Sequence, residues 1–176
     1  MNEPRPRTIA GPTFSIPRLK TARLLLREPR RADFEVLSAD AEDPIAMAHL
    51  GGATTPREIW RNFLSGAGSW LISGTGWWTV EHPARGPVGT VGVFRREIRP
   101  ELEIGWVIVR QHWGQGFATE AAGAALRFAQ RSWPGERVIA FIDEGNRASI
   151  GVAEKLGLSL DAPADFYGEP TLRYTT

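Results

Sequence analysis

The run from Leu102 to Glu120, LEIGWVIVRQHWGQGFATE, holds the residues of this chain best suited to chemistry. Gln111, Gly114 and Gly116 stand at the spacing Q-x-x-G-x-G, separated by Arg110 alone from the apolar, β-branched Val107, Ile108 and Val109. Such a trio favours a buried strand. Beyond the glycines, Ala118, Ala121, Ala122, Ala125, Phe128 and Ala129 recur at helical spacing. The segment therefore predicts a strand, a tight turn and the start of a helix. Glycines at the mouth of a helix let backbone N–H groups approach an anion closely, and the helix dipole adds partial positive charge there. This arrangement suits a phosphate-bearing ligand.

Three phosphate-binding designs compete for it. A P-loop requires G-x-x-x-x-G-K-[ST], and no glycine here is followed by that lysine and hydroxyl. A dinucleotide fold requires G-x-G-x-x-G opening a βαβ unit near the start of its domain. Here Thr119 takes the third glycine position, and about a hundred residues precede the turn. The third design fits: Q-x-x-G-x-G after an apolar strand resembles the acetyl-CoA pyrophosphate loop of the GNAT N-acetyltransferases. An ordinary strand-to-helix turn would use the same two glycines.

Two further segments carry the same resemblance. NRASIGVAEKLGL opens a helix at Asn146 and stops it at Gly157, and resembles the N-x-x-S/A block ending E-K-L-G-F that follows the fifth strand of these enzymes. About thirty residues separate it from the glycine turn, room for one helix and one strand. IPRLKTARLLLREPRRADFEVL, from Ile16, resembles the start of the branch that includes the ribosomal-protein N-terminal acetyltransferases. With three motifs in order from Ile16 to Tyr174, the chain is identified as a member of the GNAT family.

The elements that must position these residues can be read along the chain. Residues 1–15, with Pro4, Pro6 and Pro12, read as a flexible arm, and 16–176 as one domain. A first strand spans Leu24 to Arg27, and a helix runs from Asp33 to about Ala41. A second helix starts at Pro56, a favourable first position, and runs to about Leu64. Strands follow at Gly76–Glu81, Val88–Phe94 and Glu101–Val109, then helix 114–131, strand Val138–Ile142, helix 146–156 and a final pair of strands. Strands in close succession imply antiparallel hairpins rather than strict βαβ alternation. The resemblance implies an α/β (α+β) fold: a mixed, largely antiparallel central sheet of six to seven strands, flanked by about four helices, with splayed fourth and fifth strands.

Bulk properties set limits. The 176 residues suffice for one domain with a sizeable core. Lys and Arg (21) nearly cancel Asp and Glu (20), so the basic field of a nucleic-acid binder is missing. The lack of cysteine excludes disulfides, thiolate metal sites and cysteine nucleophiles. Three scattered histidines, His49, His82 and His112, form no metal-ligand pattern, and His112, beside the turn, reads as an exposed loop residue in preference to a phosphate contact. No apolar stretch is long enough to span a bilayer, and the N-terminus lacks the apolar core of a signal peptide. A cytoplasmic monomer or homodimer, with no nucleic-acid or membrane partner, is expected. Of the seven tryptophans, Trp77, Trp78 and Trp106 fall on strands as core or cleft lining, and Trp113 sits in the turn, where it could wedge the loop against the sheet.

The resemblance also implies roles. Acetyl-CoA is the co-substrate, and no metal is required. The strand edge Val107, Ile108, Val109 pairs with the pantetheine arm. Backbone amides of Trp113, Gly114, Gln115, Gly116, Phe117 and Ala118 hold the pyrophosphate, with Thr119 capping the helix start. Asn146 bonds the pantetheine arm; an N-cap role uses the same residue, and both can hold at once. An amine must lose a proton before it attacks a thioester, so a carboxylate is needed nearby. Glu103 matches a glutamate that serves as base in some members, and alternation places it on one face with Gly105 and Val107, the glycine leaving room for a ligand. Glu81 and Glu101 are alternatives, and a solvated strand position is the bland reading of Glu103. Many relatives carry a tyrosine seven residues after Asn146 to protonate the thiolate; here Ala153 stands there. Ser149 is the substitute, with Tyr167 and Tyr174 as alternatives. The expected function is acetyl transfer from acetyl-CoA to a primary amine, a protein or peptide N-terminus or a small amine. Two other readings stay open: a non-catalytic module that binds acetyl-CoA, and a nucleotide-binding oxidoreductase.

Overall fold

Eight strands form one open sheet in the computed structural model, which describes residues 13–52, 54–96, 99–166 and 168–176. The strands are β1 (Leu19–Lys20), β2 (Leu25–Arg27), β3 (Gly76–His82), β4 (Gly86–Arg96), β5 (Arg99–Ile108), β6 (Val138–Asp143), β7 (Ser159–Phe166) and β8 (Glu169–Thr175). Five helices accompany them: α1 (Phe34–Leu37), α2 (Pro44–Met47), α3 (Pro56–Ser73), α4 (Phe117–Ser132) and α5 (Arg147–Lys155). The sheet order is β1-β2-β3-β4-β5-β6-β8-β7, antiparallel throughout except where β5 meets β6. One strand more than expected is present, the two-residue β1, and the one-turn α2 is an extra helix. The arm expected over residues 1–15 falls mostly outside the described residues, as does Tyr167.

β5 and β6, the fourth and fifth strands of the expected scheme, pair in parallel at only two positions, Leu102 with Val138 and Glu103 with Ile139. β5 stays paired with β4 as far as Ile108, while β6 turns to β8 along Ile139–Asp143. The sheet therefore splits beyond Glu103. Side chains alternate as the sequence predicts: Leu102 and Ile104 are buried with Trp78, Val80, Val91 and Val93 in one core. α4 packs into that core through Ala121, Ala122, Ala125 and Ala129, all fully buried; alanines let the helix approach the sheet closely.

Two helices differ from expectation. α3 runs nine residues past Leu64, to Ser73, and ends at Gly74 with φ of 68°. The run Ser65–Gly68 reads locally as a stop, but Gly66 is needed where α3 presses on Trp77, and tertiary contact overrides its weak propensity. A capping box between Thr55 and Glu58 starts this helix. The helix expected from Asp33 to Ala41 is only a 3₁₀ turn, Arg31–Asp33, followed by α1. Asp33 is diverted: its carboxylate accepts both Nη groups of Arg27 at 2.8 Å, the Arg30 N–H at 2.9 Å and the Thr79 hydroxyl at 2.9 Å. No helix among the described residues is long and apolar enough to cross a membrane.

Arg27 and Asp33 are almost completely buried. Burial by itself would raise the Asp33 carboxyl, but the hydrogen bonds from Arg27, the Arg30 N–H and Thr79 carry it below the usual carboxylate range. Its contribution to stability is therefore present above the ordinary carboxylate pKa and is lost as pH falls through the lowered value. Asp33→Ala leaves a buried guanidinium without its main partner and is expected to cost about 3–5 kcal/mol. Denaturant midpoints of the variant and the parent at neutral pH check it; a difference under about 1 kcal/mol would contradict the reading.

Candidate functional site

The split between β5 and β6 opens into a cleft of about 1510 Å³, bounded by the starts of α4 and α5 and by α1, α2 and α3. Where the cleft meets the start of α4, Gly114 and Gly116 have φ of 73° and 77°, a left-handed backbone that favours glycine. Gly116 is the N-cap of α4, and no side chain caps the helix. This corrects the expectation for Thr119, which lies in the first turn. Its side chain is too far into the helix to take the cap position. The first helical carbonyl, Gly116 O, is met by Glu120 N, so the N–H groups of Phe117, Ala118 and Thr119 are left for a ligand. These three residues, with Trp113, Gly114 and Gly116, line the cleft.

Gln115 does not line it. Its carbonyl accepts from Arg23 at 3.1 Å and its side-chain oxygen from Arg85 at 2.5 Å. The loop is thus braced from behind. Arg23 and Thr21 also grip Glu120, through Arg23 Nε at 2.7 Å and Thr21 Oγ1 at 2.6 Å. Trp113 does wedge the loop: its Nε1 donates to the Ile108 carbonyl at 2.6 Å. His112 is not the exposed residue the sequence suggested; it is 8% exposed, packed against Phe117, and its Nδ1 has no hydrogen-bond partner among the described residues. Burial, with Arg85 and His82 nearby, holds its pKa below the usual value, so the ring is neutral at neutral pH.

Along the split, Val107, Ile108 and Val109 all line the cleft. The Val109 N–H is already committed to Val88 at 3.0 Å. Facing them, Asn146 is the N-cap of α5 and accepts the Ser149 N–H at 3.0 Å. Both Asn146 and Ser149 line the cleft. Ala153 is fully buried in the core, and Tyr174 is buried there too, so Ser149 is the hydroxyl of α5 that the cleft reaches.

Glu103 lies at the root of the split and is 6% exposed, which corrects the solvated reading. Its carboxylate is held by Arg96 through two bonds, Nε at 2.7 Å and Nη2 at 2.8 Å. The Arg96 guanidinium lies 4.7 Å from the centroid of Phe166 and 5.1 Å from that of Phe94. The room expected over Gly105 is taken by Trp77, whose ring would stand 2.9 Å from a Cβ there. Glu81 is bound to Arg27 and Glu101 lies 3.9 Å from Arg173; none of the three glutamates lines the cleft itself.

Several contributors carry no signal in the linear sequence. Asp40 and Asp43 bind Arg110 at the end of β5, and His49 meets Asp143 at 2.9 Å at the end of β6. The α1–α2 segment is thereby tied to both arms of the split. Only Asp40 supplies a carboxylate to the described lining, against Arg95, Arg96, Arg147 and Lys155. The lining thus favours anionic ligands. Among the described residues no group of three or more His, Asp or Glu is placed to hold a metal.

Known proteins resemble this chain along most of its length. The family model for the acetyltransferase (GNAT) domain matches residues 23–159. The uncharacterized protein YkkB of Bacillus subtilis (strain 168) is 35% identical over 104 residues, 57% of this chain and 60% of that protein. The crystal structure of an acetyltransferase from Agrobacterium tumefaciens str. C58 superposes with a TM-score of 0.83 at 30% identity, covering 96% of this chain and 99% of the other. RimL, the ribosomal L7/L12 alpha-N-protein acetyltransferase, solved in complex with coenzyme A, shares the fold with a TM-score of 0.74 at 15% identity, over 91% of this chain and 97% of its own. A split sheet with a glycine-capped helix at its mouth, matched by the family model from Arg23 to Ser159, makes this chain a member of the GNAT acetyltransferase family.

Proposed function

We propose that the protein transfers the acetyl group of acetyl-CoA to a primary amine by direct attack, with the α-amino group of a peptide or a small molecule as acceptor. The observation that carries this is the N-terminus of α4, which has no side-chain cap and opens on its two left-handed glycines into the cleft where β5 and β6 part. First-turn N–H groups there suit the pyrophosphate. The unpaired edge of β5 and the side-chain amide of Asn146 suit the pantetheine arm, and Arg147 and Lys155 add positive charge.

In this scheme Glu103 receives the ammonium proton. Arg96 uses two of the carboxylate's roughly four lone-pair sites, and because Glu103 lies behind the cleft lining the proton reaches the others through water. The free amine attacks the thioester carbonyl, a β5 N–H near Val107 stabilises the oxyanion, and as the C–S bond breaks Ser149 relays to the departing thiolate the proton that the acylated nitrogen gives up, while Glu103 returns its own proton to water. The grip of Arg96 on Glu103 also favours a second reading, a non-catalytic module that binds acetyl-CoA. CoA release by the purified protein with any amine removes it.

Three outcomes are expected. Gly116→Val forces a β-branched residue to a φ of 77°, and acetyl-CoA binding weakens about tenfold or more in a variant whose circular dichroism stays that of the parent. Unchanged affinity would refute the loop assignment. Glu103→Gln lowers kcat by ~10²–10⁴ near neutral pH without changing acetyl-CoA affinity, and the loss shrinks as pH rises and more amine is free base. A variant with the parent's pH–rate profile moves the role to another group. An α-amine, with pKa about 7.7–8.0 against about 10.4 for lysine, needs less help from the base. A peptide with a free N-terminus and no lysine is therefore acetylated faster than an N-blocked peptide containing lysine; the reverse order sinks the acceptor assignment.

A further inference from the structure

The cleft has a second, chemically distinct end, away from α4 and α5, where β3, β4 and α3 meet. Trp77 dominates it. A Cβ at Gly66 of α3, Gly92 of β4 or Gly105 of β5 would stand 2.9, 2.7 or 2.9 Å from its ring. Three glycines in helix and strand interiors, where each is unfavourable, thus form a slot that seats one indole flat against the sheet. The ring is not sealed off. Trp77 is half-buried, stacks on Phe94 at 5.3 Å and 23°, and lines the cleft with it. Phe34 and Phe63, 5.7 Å apart, line the cleft from α1 and α3 and are half-buried as well.

Phe94 is the cross-strand partner of Glu103, so this aromatic wall adjoins the carboxylate placed at the root of the split. The electrostatics narrow the occupant further. The one carboxylate in the described lining, Asp40, is taken by the Arg110 N–H, while Arg95 and Arg96, which line the same cleft, are paired with Glu136 and Glu103. A second ammonium on the acceptor would find no uncommitted carboxylate in that lining.

Resting on the acetyl transfer proposed above, we infer that the acceptor amine is carried on an aromatic, uncharged group, as in an arylalkylamine or a peptide beginning with an aromatic residue. Trp77, Phe63 and Phe94 hold that group, and they set specificity for it. Ring-on-ring contact with an indole seated against three glycines discriminates by shape and by burial of apolar surface.

The test compares 2-phenylethylamine with ethanolamine, and Phe-Gly-amide with Ser-Gly-amide and Lys-Gly-amide, by CoA release. Each aromatic acceptor is expected to exceed its polar counterparts about tenfold or more in kcat/KM. Trp77→Ala, and Phe63→Ala as the variant less disruptive to folding, are expected to shrink that ratio to within about threefold and leave the KM for acetyl-CoA unchanged. Equal or faster acetylation of the polar acceptors, or an unchanged ratio in a folded Phe63→Ala protein, overturns the inference. Calorimetric titration of the CoA-loaded protein with 2-phenylethylamine and ethanolamine needs no turnover. Preferential binding of 2-phenylethylamine without acetylation would overturn the proposed reaction and keep the aromatic subsite, whereas equal binding removes the subsite.

Discussion

Backbone groups in a sheet interior need partners, and β5 loses one set of them after Glu103. β6 pairs with it at two residues and then leaves for β8, so the edge of β5 facing the split has no strand beside it. The rest of the site follows from that divergence. The unpaired edge offers an extended ligand a place in the sheet. The same divergence brings the starts of α4 and α5 to the two sides of one opening, where the first-turn N–H groups of α4 and the side chain of Asn146 face a common space. A sheet that stayed closed would satisfy itself and present only two separated helix ends.

Holding such a gap open requires support from both sides. On the core side α4 brings a face of alanines against β4 and β5, and Glu120 ties its first turn to Thr21 and Arg23 at the start of the domain. On the cleft side the α1–α2 segment bridges the ends of β5 and β6, through Asp40 and Asp43 to Arg110 and through His49 to Asp143. The buried Arg27–Asp33 pair anchors the turn from which α1 leaves β2, and Thr79 of β3 joins that network. Charged pairs buried this deeply are costly to desolvate, so their value lies in fixing one arrangement of strand, turn and helix.

The two ends of the cleft show different chemistry. One end is built of backbone N–H groups and basic side chains, the other of aromatic faces against glycine. Glu103 lies at the root of the split, opposite Phe94, and each of its oxygens accepts from Arg96, whose guanidinium is covered by Phe94 and Phe166. The carboxylate is thus presented by the packing around it as much as by its strand. A donor with phosphates and an acceptor with an apolar body are therefore matched to opposite ends of a single opening.

The sequence by itself determined the features that need only local backbone geometry. Gly114 and Gly116 mark a turn because the left-handed conformation penalises any Cβ, and Asn146 marks a helix start because its short side chain caps the next turn. Alternation along β5 put Leu102 and Ile104 in the core and Glu103, Gly105 and Val107 on the other face. Tertiary structure decided the rest. The length of α3, the burial of His112, the filling of the space over Gly105 by Trp77 and the pairing of Glu103 with Arg96 all depend on partners distant in the chain or on another strand. Residue spacing encodes periodicity and turn geometry. It carries no record of which side chain arrives from another element to fill a volume or neutralise a charge.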